Sequence, residues 1–548
     1  MRVAFALLFG LLSTRAAVSG EGQESLSDLL GRRAAWLRQA ELAKPILLTR
    51  EVKPVGLVRI AKDSTSFQGV RAVPDGKTDD WTSRRLSPGD SFVVDFGGHL
   101  VGHLSLRIGE RERPMDAPCR LKFVFAEVPG ELCGSIESYG GWLSRSWFQD
   151  EIVNFDFAPM DYTLPRRYAF RYVRIEVVSC PRGKPVLEWV KAVAETSADE
   201  RNLRPWTAPS EQAARLDSVA CATLRDCMQT MLEDGPKRDR RLWLGDLRLQ
   251  ALANYETYRN FDVVKRSLYL LAGTAKENGL VGTDAYEQPF PKKGDCRIYD
   301  YTALFPQTVF EYLDASGDRS TAEDLWPLCK RQMELVLGQV GEDGLVRTTG
   351  GGGWSFFIDW DEGLDRRVPE QGVLIFGLQG LMRLAHRLGH VDEVREIPGR
   401  IEKMRTAARE KLWDGKRRVF VADMENGVSC LGQAWAVLAG IPTEEEARQC
   451  LGAVLKDATA RRPKTPYGYH YFVEALYRAG LRADADKTLL GYWGAMIEKG
   501  ADTFWEAFMP GDDALSPYGN FLLNSYCHAW SCGPSYFLRN QDFRALAR

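Results

Sequence analysis

The chain carries almost no excess charge. Its formal net charge is −2 over 548 residues, so nothing favours a nucleic-acid or anionic-membrane partner. Beyond the first 20 residues no apolar run approaches the roughly 20 residues of a membrane span. The 11 cysteines are odd in number and scattered. The nearest pairs, Cys221 with Cys227 and Cys527 with Cys532, lack the paired C-x-x-C spacing of a zinc site. Buried free thiols are expected, with one or two bridges at most. The run Gly350–Gly353 is followed by no Lys-Ser/Thr and preceded by no clear strand, which excludes a phosphate loop. It reads as a mobile loop beside "WSFFIDW". No acid-rich loop has EF-hand spacing. No nucleotide, haem, zinc or other metal cofactor is expected.

Aromatic residues, by contrast, are plentiful: 15 Trp and 19 Tyr. Their flat faces suit the C–H patches of sugar rings as well as core packing. The N-terminus "MRVAFALLFGLLSTRAAVSGEG" has one basic residue, an apolar run from Val3 to Leu12, and small residues at Ala17 and Ser19. That run is about half a membrane span, so residues 1–19 read as a cleaved signal peptide and the protein as secreted or periplasmic.

A chain of this length predicts several domains. Residues 20–44 include one helix over about 25–45. From 45 to 205 short alternating runs such as "RLKFVFAEV" and "YAFRYVRIEVVS", punctuated by Gly and Pro, predict an all-β sandwich. From 206 to 548 the period turns helical, with room for roughly a dozen helices. Gly-, aromatic- and acid-rich loops separate them, which suggests a helical toroid with functional loops at one end.

One loop crowds acids and bases around a Trp: "DGPKRDRRLWLGD", residues 234–246. It resembles the acid-rich motif of glycoside hydrolase family 78, the α-L-rhamnosidases. "VVDFGGHLVGHLSL", "YDYTALFPQTVFEYLDASGD", "FFIDW", "DTFWEAF" and "NSYCHAWSCGPSYFL" resemble further segments of that family in the same order. The resemblance implies an (α/α)6 barrel behind the β-sandwich, an inverting hydrolysis and a pocket at one barrel mouth. Inverting hydrolysis needs one carboxyl to protonate the leaving oxygen and another to activate water, about 6.5–9.5 Å apart.

The resemblance places the general base at Glu506, which its neighbours Phe504, Trp505 and Phe508 would box in. The family pattern reads approximately D-x-P-x-R-D-E-R-L-G-W-x-G-D, with its Glu as donor. Counting forward from Asp234 puts Arg240 at that Glu. Counting back from "WLGD" puts Asp239 there, one methylene shorter, and aligns Trp243, Gly245 and Asp246 together. Asp239 is therefore read as the acid, with Asp234 as the competing donor. By the same resemblance Asp234, Arg238, Trp243, Asp246, Asp300, Asp359, Trp360, Trp505, His528 and Trp530 would contact sugar. The plain alternatives are turn and cap chemistry for the acids, ion pairing with Arg240 or Arg241, and core packing for the aromatics.

The leading expectation is an exo-acting glycosidase that removes a terminal α-L-rhamnosyl or similar deoxy-hexosyl unit. A toroid glycosidase of other sugar specificity and a non-catalytic sugar-binding relative stand against it. The β-sandwich is expected to be structural rather than a carbohydrate-binding module.

Overall fold

In the computed structural model the described residues are 25–77, 80, 84–111, 113–347, 355–423 and 427–545. The signal-peptide segment 1–19 and the glycine run 350–353 lie outside them.

Alternation builds the first domain. In β5 (Cys119–Ala126) every second side chain, Cys119, Leu121, Phe123 and Phe125, is buried. It is one of nine antiparallel strands, with β1 (Leu48–Val52), β2 (Gly56–Lys62), β3 (Val70–Gly76), β4 (Ser91–Gly109), β6 (Asp150–Phe155), β7 (Met160–Thr163), β8 (Tyr168–Ser179) and β9 (Val186–Thr196). The long β4 joins two arms. Its first half pairs with β2 and β8, its second half with β7 and β9. Its register against β8 slips between Asp95 and Leu100. Gly97 makes the slip possible: it takes φ +81°, and the place of a Cβ is filled by Val55 at 2.8 Å. The bulge aims His99 at the second domain, where Nδ1 lies 2.7 Å from the Asp226 carboxylate.

Among the described residues the second domain is built on a ring of twelve helices in two layers. The inner helices are α4 (Leu244–Glu256), α6 (Tyr299–Ser316), α8 (Arg367–Leu388), α10 (Cys430–Leu438), α12 (Pro466–Arg478) and α14 (Gly533–Arg539). The outer ones are α3 (Glu211–Cys227), α5 (Phe261–Gly273), α7 (Arg319–Leu337), α9 (Ile397–Leu412), α11 (Glu444–Lys456) and α13 (Arg482–Glu498). The sequence sorts them. In α11 only Ala447, Cys450, Leu451 and Val454 are buried, a single stripe. In α4 every residue from Leu244 to Tyr255 is buried, as a helix enclosed on all sides must be.

The expected single N-terminal helix is two, α1 (Leu26–Gly31) and α2 (Arg33–Leu42), because the chain tightens after Gly31 and the Arg32 N–H donates to Leu29 O. α2 lies on α5. Trp36 is 1% exposed, and Arg33 donates to Ala275 O at 2.9 Å. All 11 cysteines are free thiols. Among the described residues no helix is long and apolar enough to cross a membrane.

The two domains meet through charge as much as apolar surface. Arg167 donates to Glu233 at 2.7 Å and Arg171 to Asp502 at 3.2 Å, and Phe67 stacks on Trp505 at 4.1 Å. If α2 is part of the helical core, Trp36→Ala will cost about 3–5 kcal/mol in urea unfolding followed by helical circular dichroism. An unmoved midpoint would show that α2 is merely laid on the surface.

Candidate active site

The loop Asp234–Arg241 between α3 and α4 is tied together by its first residue. The Asp234 carboxylate accepts the N–H groups of Asp239 at 3.1 Å and Arg241 at 3.0 Å. Its own N–H donates to Arg241 O, and its carbonyl accepts from Ala529 N–H. With both oxygens engaged, Asp234 borders the cavity as the staple of a turn. The bases of the loop each find a partner. Lys237 reaches Glu131 of the β-domain and the carbonyl of Asn524. Arg240 turns away from the cavity, toward Lys237 O. Arg241 donates to Asp284 at 3.3 Å and lies 4.5 Å over Tyr286.

Arg238 connects the proposed pair of carboxyls. It is buried, and Nε donates to Leu523 O at 2.9 Å. Nη1 lies 3.5 Å from Asp239 Oδ1, while Nη2 donates to Glu506 Oε2. The two carboxyls are thus separated by at most two hydrogen bonds and the width of one guanidinium, on the order of 8 Å. That upper bound is compatible with the spacing an inverting pair needs.

Glu506 lies in the loop between α13 and α14. Its Oε1 accepts from the Tyr518 hydroxyl, its Oε2 from Ser525 N–H, and its backbone carbonyl from Trp530 Nε1. Polar partners therefore surround it in place of the expected aromatic box. The neighbouring Trp505 points into the stack with Phe67. Trp505 does not contact the cavity.

Asp300 and Asp359 are also corrected. Asp300, in the first turn of α6, accepts the N–H groups of Phe357 at 3.1 Å and Ile358 at 3.0 Å. Asp359 accepts Lys464 N–H at 2.7 Å and the Thr465 hydroxyl. Burial pushes both carboxyls up to about 6. They brace the "FFIDW" loop from behind and line none of the cavity. The competing reading, turn and cap chemistry, describes them.

The remaining expected residues come together. A recess of about 50 Å³ is bordered by Asp239, Asp246, Glu506, His528 and Trp530. It opens onto a cavity of about 790 Å³, and Arg238, Asp239, Trp243, Trp360 and Tyr518 border both spaces. Deep in the recess Asp246 Oδ1 and His528 Nδ1 lie 3.5 Å apart. Neither atom has a hydrogen-bond partner among the described residues. Burial, and then the positive charge of Arg238, hold His528 far below its usual range, so its imidazole is neutral. Burial, and then the charges of Asp234 and Glu506, raise Asp246 well above the carboxylate range. Burial, and then Asp239, push Asp234 up to about 8. Beside these polar groups Phe357, Trp530 and Tyr301 supply the apolar part of the lining: the Trp530 ring lies 4.2 Å from that of His528 and stacks near Phe357 at 5.6 Å.

Sequence reasoning missed Tyr518, Tyr301 and Phe357, and also Trp142 and Trp147, which the β-domain contributes to the wider cavity. A signal existed for the last two. Tryptophans spaced among Gly and Ser in "YGGWLSRSW" do not alternate as core residues of a strand do.

The raised carboxyls have a pH signature. Because folding raises their pKa values, these groups contribute stability that is full below about pH 4, where they are protonated in both states. It is lost as pH rises through their folded values, about 8 for Asp234. The melting temperature should fall between pH 5 and 9, and less steeply in Asp246→Asn. Superposable calorimetric profiles would mean that Asp246 is ionised in the fold.

Comparison with known proteins bears on this geometry. The model of the glycosyl hydrolase family 78 α-rhamnosidase N-terminal domain matches residues 54–185. That of the bacterial α-L-rhamnosidase six-hairpin glycosidase domain matches residues 208–541. A solved rhamnosidase from Klebsiella oxytoca with rhamnose bound is 39% identical, with a TM-score of 0.89 over 92% of this chain and 98% of that one. Two others share the fold at low identity. The family 78 rhamnosidase of Bacillus sp. GL1 is 20% identical, with a TM-score of 0.71 over 86% of this chain and 49% of that one. The Streptomyces avermitilis α-L-rhamnosidase complexed with L-rhamnose is 16% identical, with a TM-score of 0.65 over 90% and 44%. No curated protein matches by sequence. With both of its domains matched and a relative alike over nearly its whole length, this chain belongs to glycoside hydrolase family 78, the α-L-rhamnosidases.

Proposed function

We propose that the chain is an exo-acting, inverting α-L-rhamnosidase, with Asp239 as general acid and Glu506 as general base. The observation that supports this reading best is the single guanidinium of Arg238 reaching both carboxyls beside a small recess that opens onto a wider cavity. A small recess behind a wider cavity suits the end of a saccharide better than its middle. Its mixed polar and apolar lining suits a 6-deoxy sugar. The carboxyl of Asp246 and the neutral imidazole of His528 offer hydrogen bonds to ring hydroxyls, and Phe357, Trp530 and Tyr301 offer an apolar seat for the methyl group.

In the reaction Asp239, on the border with the wider cavity, donates its proton to the departing glycosidic oxygen. Glu506 removes a proton from a water that attacks the anomeric carbon from the opposite face. The C–O bond to the leaving group breaks as the bond to water forms, so configuration inverts. Tyr518 and Ser525 hold the base by hydrogen bonds, and Arg238 offsets the charge shared by the two carboxyls.

Asp239→Asn and Glu506→Gln should each lower kcat on 4-nitrophenyl α-L-rhamnoside by on the order of 10²–10⁴-fold, with rhamnose binding by calorimetry retained. Proton NMR of the earliest product should show β-rhamnose. Full turnover in either variant, or α-rhamnose first, would contradict the assignment.

The N-terminal segment supports export of the mature chain. If residues 1–19 are removed on secretion, N-terminal sequencing of the protein from its native host will begin at Gly20, whereas an intact Met1 would refute cleavage.

A further inference from the structure

The wider cavity outside the recess has a wall that the catalytic domain does not supply. The β-domain segment Tyr139–Trp147 reaches over the barrel mouth and presents Trp142, Leu143 and Trp147 to it. Trp142 is 63% exposed, and it is the only tryptophan among the described residues so open to solvent. A large apolar ring left in water at the edge of a catalytic cavity is costly unless something covers it in use.

That ring is held, not loose. The Trp142 N–H donates to Tyr518 O at 3.0 Å and its indole N–H to Pro517 O at 3.1 Å. The approach is close enough that a Cβ on Gly141 would meet Tyr518 O at 2.5 Å. The ring meets Tyr518 edge-on at 5.4 Å, and Trp147 and Leu143 pack on Tyr139, Leu522 and Leu523. Since the only polar atom of the Trp142 side chain is already satisfied, the wall offers π-faces and no hydrogen bonds. An open π-face of this kind receives the flat face of a ring by stacking. Across the cavity Asp295 and Arg297 could meet polar substituents at such a ring's edge.

We infer that Trp142, supported by Trp147, forms the subsite for the leaving group, and that it favours leaving groups that lay a flat ring face on it. The inference rests on the hydrolytic reading above and adds that leaving-group choice is set by the β-domain.

The test uses the full-length protein with two substrates, 4-methylumbelliferyl α-L-rhamnoside and α-L-rhamnosyl fluoride. Fluoride as a leaving group is too small to touch Trp142. In Trp142→Ala the ratio of kcat/KM for the umbelliferyl substrate to that for the fluoride should fall about tenfold, chiefly through KM. Trp142→Phe should restore most of it. An unchanged ratio overturns the proposal, whether both rates hold or both fall together, the latter exposing a support role for Tyr518 and Glu506. Wild-type protein that hydrolyses neither substrate would instead sink the rhamnosidase reading itself.

Discussion

The Arg238 guanidinium lies between the carboxyls of Asp239 and Glu506, buried and stacked 4.2 Å over Tyr518. A buried cation is tolerable only when its charge and its N–H groups are met. Here the two carboxylates, Leu523 O and an aromatic face meet them. The same contacts fix how far apart the two acids stand. One guanidinium that reaches both carboxyls keeps them on the border of the same recess. The rest of the site holds that arrangement still.

The crowding of charge in residues 234–246 follows from this need. Asp234 closes the turn on itself, Lys237 anchors it to Glu131, Arg241 pins it to Asp284, and Asp246 begins α4 facing into the recess. Outside its setting the stretch reads as a solvated surface. In place, each charge fills a separate position around one short loop. Its carboxyls differ in environment, so they differ in proton affinity. Burial raises Asp234 to about 8 and Asp246 well above the carboxylate range, and the neutral His528 beside Asp246 adds no charge.

The β-domain belongs to the site as well as to the scaffold. Glu131 and Glu127 reach the loops that carry Arg238 and His528, the latter through the N–H of Tyr526. His99, aimed by the Gly97 bulge, touches Asp226 and Glu127. Burial alone would strip its charge, yet the Cys527 sulfur and the two carboxylates outweigh burial and raise its pKa well above the usual range. A polar seam of this kind fixes one orientation of the domains, because its buried charges are met only while the two surfaces stay in register.

Local regularities of the chain determined much of this protein. Two-residue alternation marked the β-domain, the stripe of Ala447, Cys450, Leu451 and Val454 is what an outer helix requires, and the ordered motifs pointed to Asp239 and Glu506. Those properties depend on neighbours a few residues apart, which is what a linear text records. Tertiary structure alone decided which side of each loop faces the cavity. Asp300 and Asp359 sit in motifs of the right kind yet face backbone N–H groups, and Trp505, next to Glu506 in the chain, packs on Phe67 instead. Tyr518 and Trp142 are remote from Asp239 in sequence, in loops without period, and become neighbours only when the ring closes and the β-domain lies across its mouth. Such contacts come from packing whole elements against one another, and no spacing within a single segment encodes them.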